Sequence, residues 1–299
     1  MGGLEQMSIS DRQIPTNTNT PFGFLSPRDF LRLGALIDRE CGIRMPEAKK
    51  SMLEVRLGKR VKALALTSFR EYCDFLFSPE GQQQELLKMI DVVTTNKTDF
   101  FREAHHFTYL TQIALPALMA LGNIGVRTSL SVWSAGCSSG EEVYSLSMAI
   151  SEFAGSRAGY RFSVLGTDIS TRVLEKAASA VYEEERVEPV PIPLRKKYLL
   201  RSRDSQKKLV KIAPALRQFV RFRRLNFMDE DYGMKEPFHV IFCRNVIIYF
   251  DRQTRERLLK RLCSHVVQGG YLFTGHSEIL NGIALPLSQC APTVYRKTK

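Results

Sequence analysis

The sequence predicts an α/β fold, an open parallel sheet with helices on both faces, preceded by a smaller all-helical unit. Three observations predict it. From about residue 105 short β-rich runs (129–133, 161–166, 220–223, 240–242, 271–274) alternate with helical ones (140–153, 170–180, 252–265). That alternation is the signature of parallel strands joined by crossover helices. Upstream of it, apolar residues recur only at helical spacing. Finally, 299 residues at 44% apolar content can bury one large core and one small one.

Residues 1–24 are rich in Thr, Asn, Gly and Pro without apolar period, and are expected to be a disordered tail. Residues 25–92 are expected to form the helical domain. Ser26-Pro27-Arg28-Asp29 reads as a helix start, with Ser26 at N-cap, Pro27 at N1 and Asp29 at N3. Phe30, Leu33, Leu36 and Ile37 then follow on one face. A second helix over about 46–65 is expected to turn Met52, Val55, Leu57 and Val61 inward. Two more, over 64–77 and 81–91, flank the Ser78-Pro79 break. The sheet domain takes 93–299. It is interrupted where Pro189, Pro191 and Pro193 precede two short runs, 197–201 and 209–212, separated by a polar turn. This reads as an inserted β-hairpin, a small β-subdomain at about 190–214.

The net charge of +12 is concentrated. Residues 195–224 hold twelve Lys or Arg against Asp204 alone, and 49–62 hold six against Glu54. Such patches call for an acidic macromolecule, nucleic acid or protein. The six cysteines form no CxxC pair and precede no histidine at zinc spacing, so neither a disulfide framework nor a metal site is indicated. No apolar run is long enough to span a membrane, and the polar N-terminus is unlike a signal peptide, so a cytoplasmic protein without direct membrane insertion is expected.

Three motifs carry chemistry. Thr94-Thr95-Asn96-Lys97-Thr98-Asp99-Phe100-Phe101-Arg102 mixes hydrogen-bonding side chains, two flat rings and a planar cation, which suits a ligand that is part ring and part charge. The plainer reading makes Thr98 an N-cap and sends both rings into a core. Ser134-Ala135-Gly136-Cys137-Ser138-Ser139-Gly140-Glu141-Glu142 joins the first strand to a helix with small residues that admit a ligand to the backbone. Its two acids would oppose a pyrophosphate, arguing against NAD or ATP. The second strand ends at Asp168, placed either to hold two ribose hydroxyls or to cap the next helix. A sulfonium cation and a free ribose satisfy all of this, which points to S-adenosyl-L-methionine. The third motif, 238–251, ends a buried strand in Arg244-Asn245 followed by Tyr249. An arginine there needs an anion, either a ligand or a structural acid.

With these motifs in place, the segments TTNKTDFFRE, SAGCSSGEEVYSL, GTDIS, FCRNVIIYFD and GGYLFTGHSE resemble, in order, those of the CheR family of chemotaxis receptor methyltransferases. The resemblance runs from about 25 to 297. It implies a Rossmann-like S-adenosylmethionine-dependent methyltransferase domain behind an all-α domain. The implied activity is methyl transfer to glutamate side chains of methyl-accepting chemotaxis proteins, with S-adenosyl-L-homocysteine as product. It also implies cofactor contacts from Asn96, Thr98, Arg102, Glu141 or Glu142, Asp168, Asn226, Arg244 and Asn245. Phe227 stands where many relatives have Leu. The basic face at 49–62 is implied to dock on the cytoplasmic helical bundle of the receptor. Some relatives also tether a C-terminal receptor peptide through a glycine-containing turn in the β-subdomain. Residues 201–208 contain no glycine, which speaks against tethering here.

A glutamate is ionised at neutral pH, its reference pKa being about 4.3, so the transfer needs no general base. Alignment and exclusion of water suffice. Arg102 and Arg244 are candidates to grip the carboxylate and Tyr249 to donate to one of its oxygens. His105, His106 and His276 read as core or loop residues. An RNA or DNA methyltransferase is the main rival, but no nucleic-acid-binding motif, no amine-methylation motif and no catalytic cysteine accompany the basic charge, so no nucleic acid partner is expected. A non-catalytic sensor of the cofactor is disfavoured by Arg102, Arg244 and Tyr249 together.

Overall fold

Ser26 Oγ accepts the Asp29 N–H and Pro27 occupies the first turn, so α1 (Pro27–Cys41) begins where its capping residues place it. The computed structural model describes residues 21–155, 157–280 and 282–298. Of the expected disordered tail, residues 1–20 lie outside the described residues. After α1 come α2 (Lys50–Ala63), α3 (Phe69–Leu76), α4 (Pro79–Gln84) and α5 (Leu86–Val93). They close around their own apolar core, which includes Phe30, Leu33, Ile37, Leu57, Val61, Tyr72 and Ile90. Two details differ from expectation. Val55 is half exposed, and the inward stripe of α2 runs Leu53, Leu57, Val61 with Glu54 beside it, its carboxylate accepting the Leu25 N–H at 2.9 Å. The segment expected as one helix at 81–91 breaks at Glu85, whose buried carboxylate takes both Arg60 Nε and Nη2, at 2.7 and 2.8 Å.

The sequence reading gave no element to residues 104–122. There α6 (Ala104–Tyr109) passes through a π-helical stretch (Leu110–Ala114) into α7 (Leu115–Gly122). Phe107, Leu110, Ala114, Leu115 and Leu118 on this segment join the core over the sheet.

The sheet domain follows as β1 (Leu130–Ala135), α8 (Glu141–Gly155), β2 (Phe162–Asp168), α9 (Thr171–Ser179), β3 (Val181–Glu183), α10 (Ile192–Tyr198), β4 (Leu199–Arg201), β5 (Leu209–Ile212), α11 (Pro214–Arg217), β6 (Val220–Arg224), β7 (Phe238–Cys243), α12 (Arg252–Ser264), β8 (Val266–Thr274), β9 (Leu287–Ala291) and β10 (Val294–Lys297). Its seven strands lie in the order β6-β2-β1-β7-β8-β10-β9. The five strands from β6 to β8 are parallel, as expected. β10 and β9 add an antiparallel edge that the sequence reading lacked. β9, Leu-Ser-Gln-Cys-Ala, is short and largely exposed with no apolar/polar alternation, which suits an edge strand and hides it from a periodic pattern. The order runs outward in both directions from β1 and β7, so the crevice at their carboxyl ends is the switch point where open α/β sheets bind ligands.

The expected hairpin is the pair β4 and β5, but β3 makes it a three-stranded sheet. Residues 192–198, in part expected as strand, are helical, with Pro193 tolerated in the first turn.

Candidate active site

A cleft of about 880 Å³, open mouth included, lies at that switch point. Its walls include Asn96, Thr98, Arg102, Glu142, Asp168, Asn226, Phe227, Arg244, Asn245 and Tyr249. Every sequence-derived candidate is thereby brought together except Glu141. That residue is fully buried behind the wall, where Arg186 Nη2 and Ser139 Oγ bind its two oxygens at 2.8 and 2.7 Å. Of the two acids only Glu142 lines the cleft.

The first motif is neither a helix start nor a stacking platform. Residues 95–103 run as turn and coil, and Thr98 caps nothing. Phe100 is buried in a cluster with Tyr144 and Tyr182, its ring edge-on to Tyr182 at 5.0 Å. Phe101 packs tilted on Phe107 at 5.0 Å. The rings therefore anchor the loop instead of lining the cleft, as the plainer reading had it. Two arginines clamp the loop from opposite sides. Arg56 of α2 donates to the carbonyl of Thr94 at 3.0 Å and to Thr95 Oγ1 at 3.1 Å. Arg186 donates to the carbonyl of Thr98 at 2.6 Å and pairs with Asp99 at 3.1 Å. Arg186 was not singled out from sequence, and Arg56 was read only as part of the basic face at 49–62, because each lies far from the motif it holds.

The loop after β1 turns at Gly136, φ 83°, where a Cβ would sit 2.4 Å from a Val246 methyl carbon. Only glycine satisfies both constraints. Gly136 and Cys137 donate their N–H groups to the carbonyl of Thr167, both at 2.8 Å. Asp168, next in the chain, accepts the Ser138 N–H on Oδ2 at 2.8 Å and the Ser170 N–H on Oδ1 at 3.0 Å. Asp168 is therefore not the cap of the next helix, as the alternative reading had it. It braces the loop and the start of α9, where Ser170 is the N-cap, and it also faces the cleft. Burial raises its pKa, against the pull of those N–H groups.

Arg244 is almost fully buried. Its Nε pairs with Glu142 Oε2 at 2.7 Å, and its Nη1 donates to the carbonyl of Arg102 at 2.6 Å. Glu103 Oε2 lies 3.5 Å from the same Nη1. Glu142 is completed by Ser134 Oγ at 2.6 Å. The anion that Arg244 requires is therefore a structural acid. Arg102, by contrast, donates Nη1 to the Lys97 carbonyl at 3.2 Å and has no carboxylate within 4.0 Å among the described residues.

The helical domain also contributes, through Cys41 and Ile43. Asn226 Nδ2 donates to the Glu40 carbonyl at 2.6 Å, joining the two domains at the cleft. Burial pushes the Cys41 thiol up to about 12, so it stays protonated and is no nucleophile. His106, behind Arg244, is held neutral: burial first and then the Arg244 charge lower its pKa to about 3. Because arginine can only donate, His106 Nδ1 accepts from Arg244 Nη1 at 3.2 Å and Nε2 carries the hydrogen shared with Thr293 at 2.8 Å. No metal cluster exists among the described residues, and no helix is long and apolar enough to cross a membrane.

Residues 96–295 match the family described as "CheR methyltransferase, SAM binding domain", and 28–94 match "CheR methyltransferase, all-alpha domain". A chemotaxis protein methyltransferase of Borreliella burgdorferi is 38% identical over 97% of this chain and 100% of its own length. Chemotaxis protein methyltransferase 2 of Pseudomonas aeruginosa is 37% identical, covering 94% of this chain and 99% of its own. The Escherichia coli chemotaxis protein methyltransferase is 36% identical, covering 92% of each.

Proposed function

This chain belongs to the CheR methyltransferase family, whose cofactor is S-adenosyl-L-methionine, and on that premise we propose that it methylates glutamate side chains of chemotaxis receptors in the cytoplasm. The observation that carries the reading is the contrast between the two arginines of the cleft. Arg244 is committed to Glu142, whereas Arg102 keeps its charge for a ligand.

The residues present fit the cofactor. Asp168 offers carboxylate oxygens to ribose hydroxyls, the Gly136 turn admits close approach of the backbone, and Ile169 and Phe227 offer apolar surface for a purine. Asn96, Thr98 and Asn245 supply further polar groups along the cleft. When bound, S-adenosyl-L-methionine supplies an electrophilic methyl group and leaves as S-adenosyl-L-homocysteine. The chain has the simpler task of holding an already ionised glutamate. Arg102 grips the carboxylate with its planar fork, and Tyr249 donates to one oxygen so that the other is aimed. Neither Cys41 nor His106 is tuned as a base, in keeping with a nucleophile that needs none. Walls from both domains keep water away while opposite charges cancel.

The receptor's cytoplasmic helical bundle is the proposed partner, met by α2. The contact is narrower than the basic run suggests. Arg56 and Arg60 turn inward to Thr95 and Glu85, so Lys59, Lys62 and the exposed Val55 form its centre. The turn between β4 and β5 contains no glycine, and Lys208 itself takes the left-handed φ of 43°, so no second contact with a receptor tail is proposed. Incubation with methyl-labelled cofactor and either receptor fragments or total RNA tests the whole reading. Base-labile label on the receptor supports it, and label on RNA overturns it.

A further inference from the structure

The turn that carries Arg244, Asn245 and Tyr249 into the cleft is closed by two backbone bonds of its own, from the Tyr249 N–H to the Val246 carbonyl and from the Phe250 N–H to the Ile247 carbonyl, both at 3.2 Å. Asn245 sits at φ 59°, in the left-handed region that Asn tolerates better than most residues but that still costs energy without a partner for its N–H. What fixes it lies on another element. Glu278, after β8, is buried at 2% exposure and does not line the cleft. Its Oε2 accepts the N–H groups of Asn245 and Gly275, both at 2.7 Å, and its Oε1 accepts the Ile248 N–H at 3.3 Å. Among the described residues no cation lies within 4.0 Å of it, so backbone N–H groups alone stabilise the charge. N–H groups from two separate loops thus converge on one carboxylate, which ties the 244–249 turn to the loop after β8.

From this geometry we infer that Glu278 is a positioning residue for methyl transfer, its carboxylate setting the 244–249 turn so that Asn245 and Tyr249 face the bound ligands. The inference rests on the reading of the cleft given above. The packing is close enough for the position of Glu278 to be transmitted. A Cβ at Gly275 would lie 2.8 Å from Glu278 Oε2 and 2.7 Å from Asn245 Nδ2. The loop is also locked from the far side, where Thr274 Oγ1 donates to the Glu278 carbonyl at 2.9 Å and the Glu278 N–H returns to the Gly275 carbonyl at 2.8 Å. A carboxylate held this way moves the turn if it is changed and leaves the remote α2 face untouched.

The test uses the full chain and compares wild type with Glu278→Gln and Gly275→Ala. S-adenosyl-L-homocysteine affinity is read by calorimetry, turnover and KM on receptor fragments, and melting temperature in parallel. Glu278→Gln keeps the size but turns an NH2 toward an N–H donor, so the turn must shift. The expected result is a fall in kcat of about 100-fold, the scale of a misplacement of about 1 Å, with a weaker cofactor Kd and an unchanged KM for receptor. Wild-type kcat and Kd at a lowered melting temperature would show a structural role only and overturn the inference. Should Glu278→Gln not fold, Gly275→Ala is judged by the same readouts, and wild-type turnover in it overturns the inference. Wild-type protein that does not bind S-adenosyl-L-homocysteine would instead overturn the reading of the cleft, and this inference with it.

Discussion

Arg244 donates Nη1 to the backbone carbonyl of Arg102 at 2.6 Å, while among the described residues no carboxylate reaches the side chain of Arg102. Two arginines that the sequence offered as a pair for one substrate carboxylate therefore do different work. One is scaffold, holding the other's backbone and neutralising Glu142. The other presents its side chain to the cleft.

Arg244→Ala should accordingly lose stability before it loses specificity. Glu142 would be left buried without its cation, and breaking such a pair costs about 3–5 kcal/mol. Chemical denaturation should show that loss, with S-adenosyl-L-homocysteine recovering part of it by mass action. A variant as stable as wild type would mean that the Arg244–Glu142 pair contributes nothing to the fold.

The parts of the fold that were legible in the sequence are those whose signal is local. Ser26, Pro27 and Asp29 announce α1, and the buried run 238–243 announces β7. Residues 104–122 were not legible, because no capping side chain marks their start and Glu103 enters at φ 57°. β9 was hidden by its lack of apolar/polar alternation. Within the site, the cleft residues were readable because they cluster in short motifs. Arg186 and Glu278 were not, and Arg56 was read only as part of the basic face, since their contacts with the site are bonds to backbone atoms 88, 33 and 38 residues away. The Phe100-Phe101 pair was misleading for a physical reason, since anchoring a loop and stacking on a ligand ask for the same side chain.

Asp168→Ala should weaken the cofactor by ~1–3 kcal/mol, the usual range for a buried hydrogen bond left unmade. From sequence alone little loss of fold is expected. The structure adds a cost, because the N–H groups of Ser138 and Ser170 lose their acceptor. Calorimetry and melting should therefore both change. An unaltered affinity would remove Asp168 from the ribose role.

Lys59→Glu with Lys62→Glu should raise KM for receptor without altering cofactor affinity, and the effect should shrink at high salt as exposed charges are screened over about 10 Å. Arg60→Glu should behave differently. It places a second carboxylate against buried Glu85 and should lower the melting temperature directly. Equal behaviour of the two variants would remove the distinction between an outward and an inward face of α2.

His106 gives a pH dependence of definite sign. Its folded pKa of about 3 lies below the value near 6.5 of an unfolded histidine. Its contribution is therefore fully present above about pH 6.5 and is lost as pH falls toward 3, because the unfolded chain binds the proton first. His106→Gln can keep both bonds, its amide oxygen accepting from Arg244 and its NH2 donating to Thr293. Melting curves between pH 7 and 4 should be flatter for this variant by one proton. Curves parallel to wild type would assign the acid sensitivity to other groups.

Arg102→Lys should cost far more than conservation of charge suggests. The side chain is half-buried and, among the described residues, bound only to the Lys97 carbonyl, so no contact there requires a guanidinium, and the melting temperature should stay near wild type. What lysine cannot supply is the planar fork that holds a carboxylate in one orientation. Orientation can contribute up to ~7–11 kcal/mol of barrier reduction in well-placed reactions, so even a modest loss of alignment should lower kcat by orders of magnitude. Cofactor affinity would fall as well if the guanidinium also reaches the methionine carboxylate, and calorimetry separates that effect from turnover. Stability near wild type with a collapsed kcat is the expected signature. Turnover within twofold of wild type would mean that Arg102 is a solvated loop residue, and the carboxylate would then have to be held by Tyr249 and its neighbours alone.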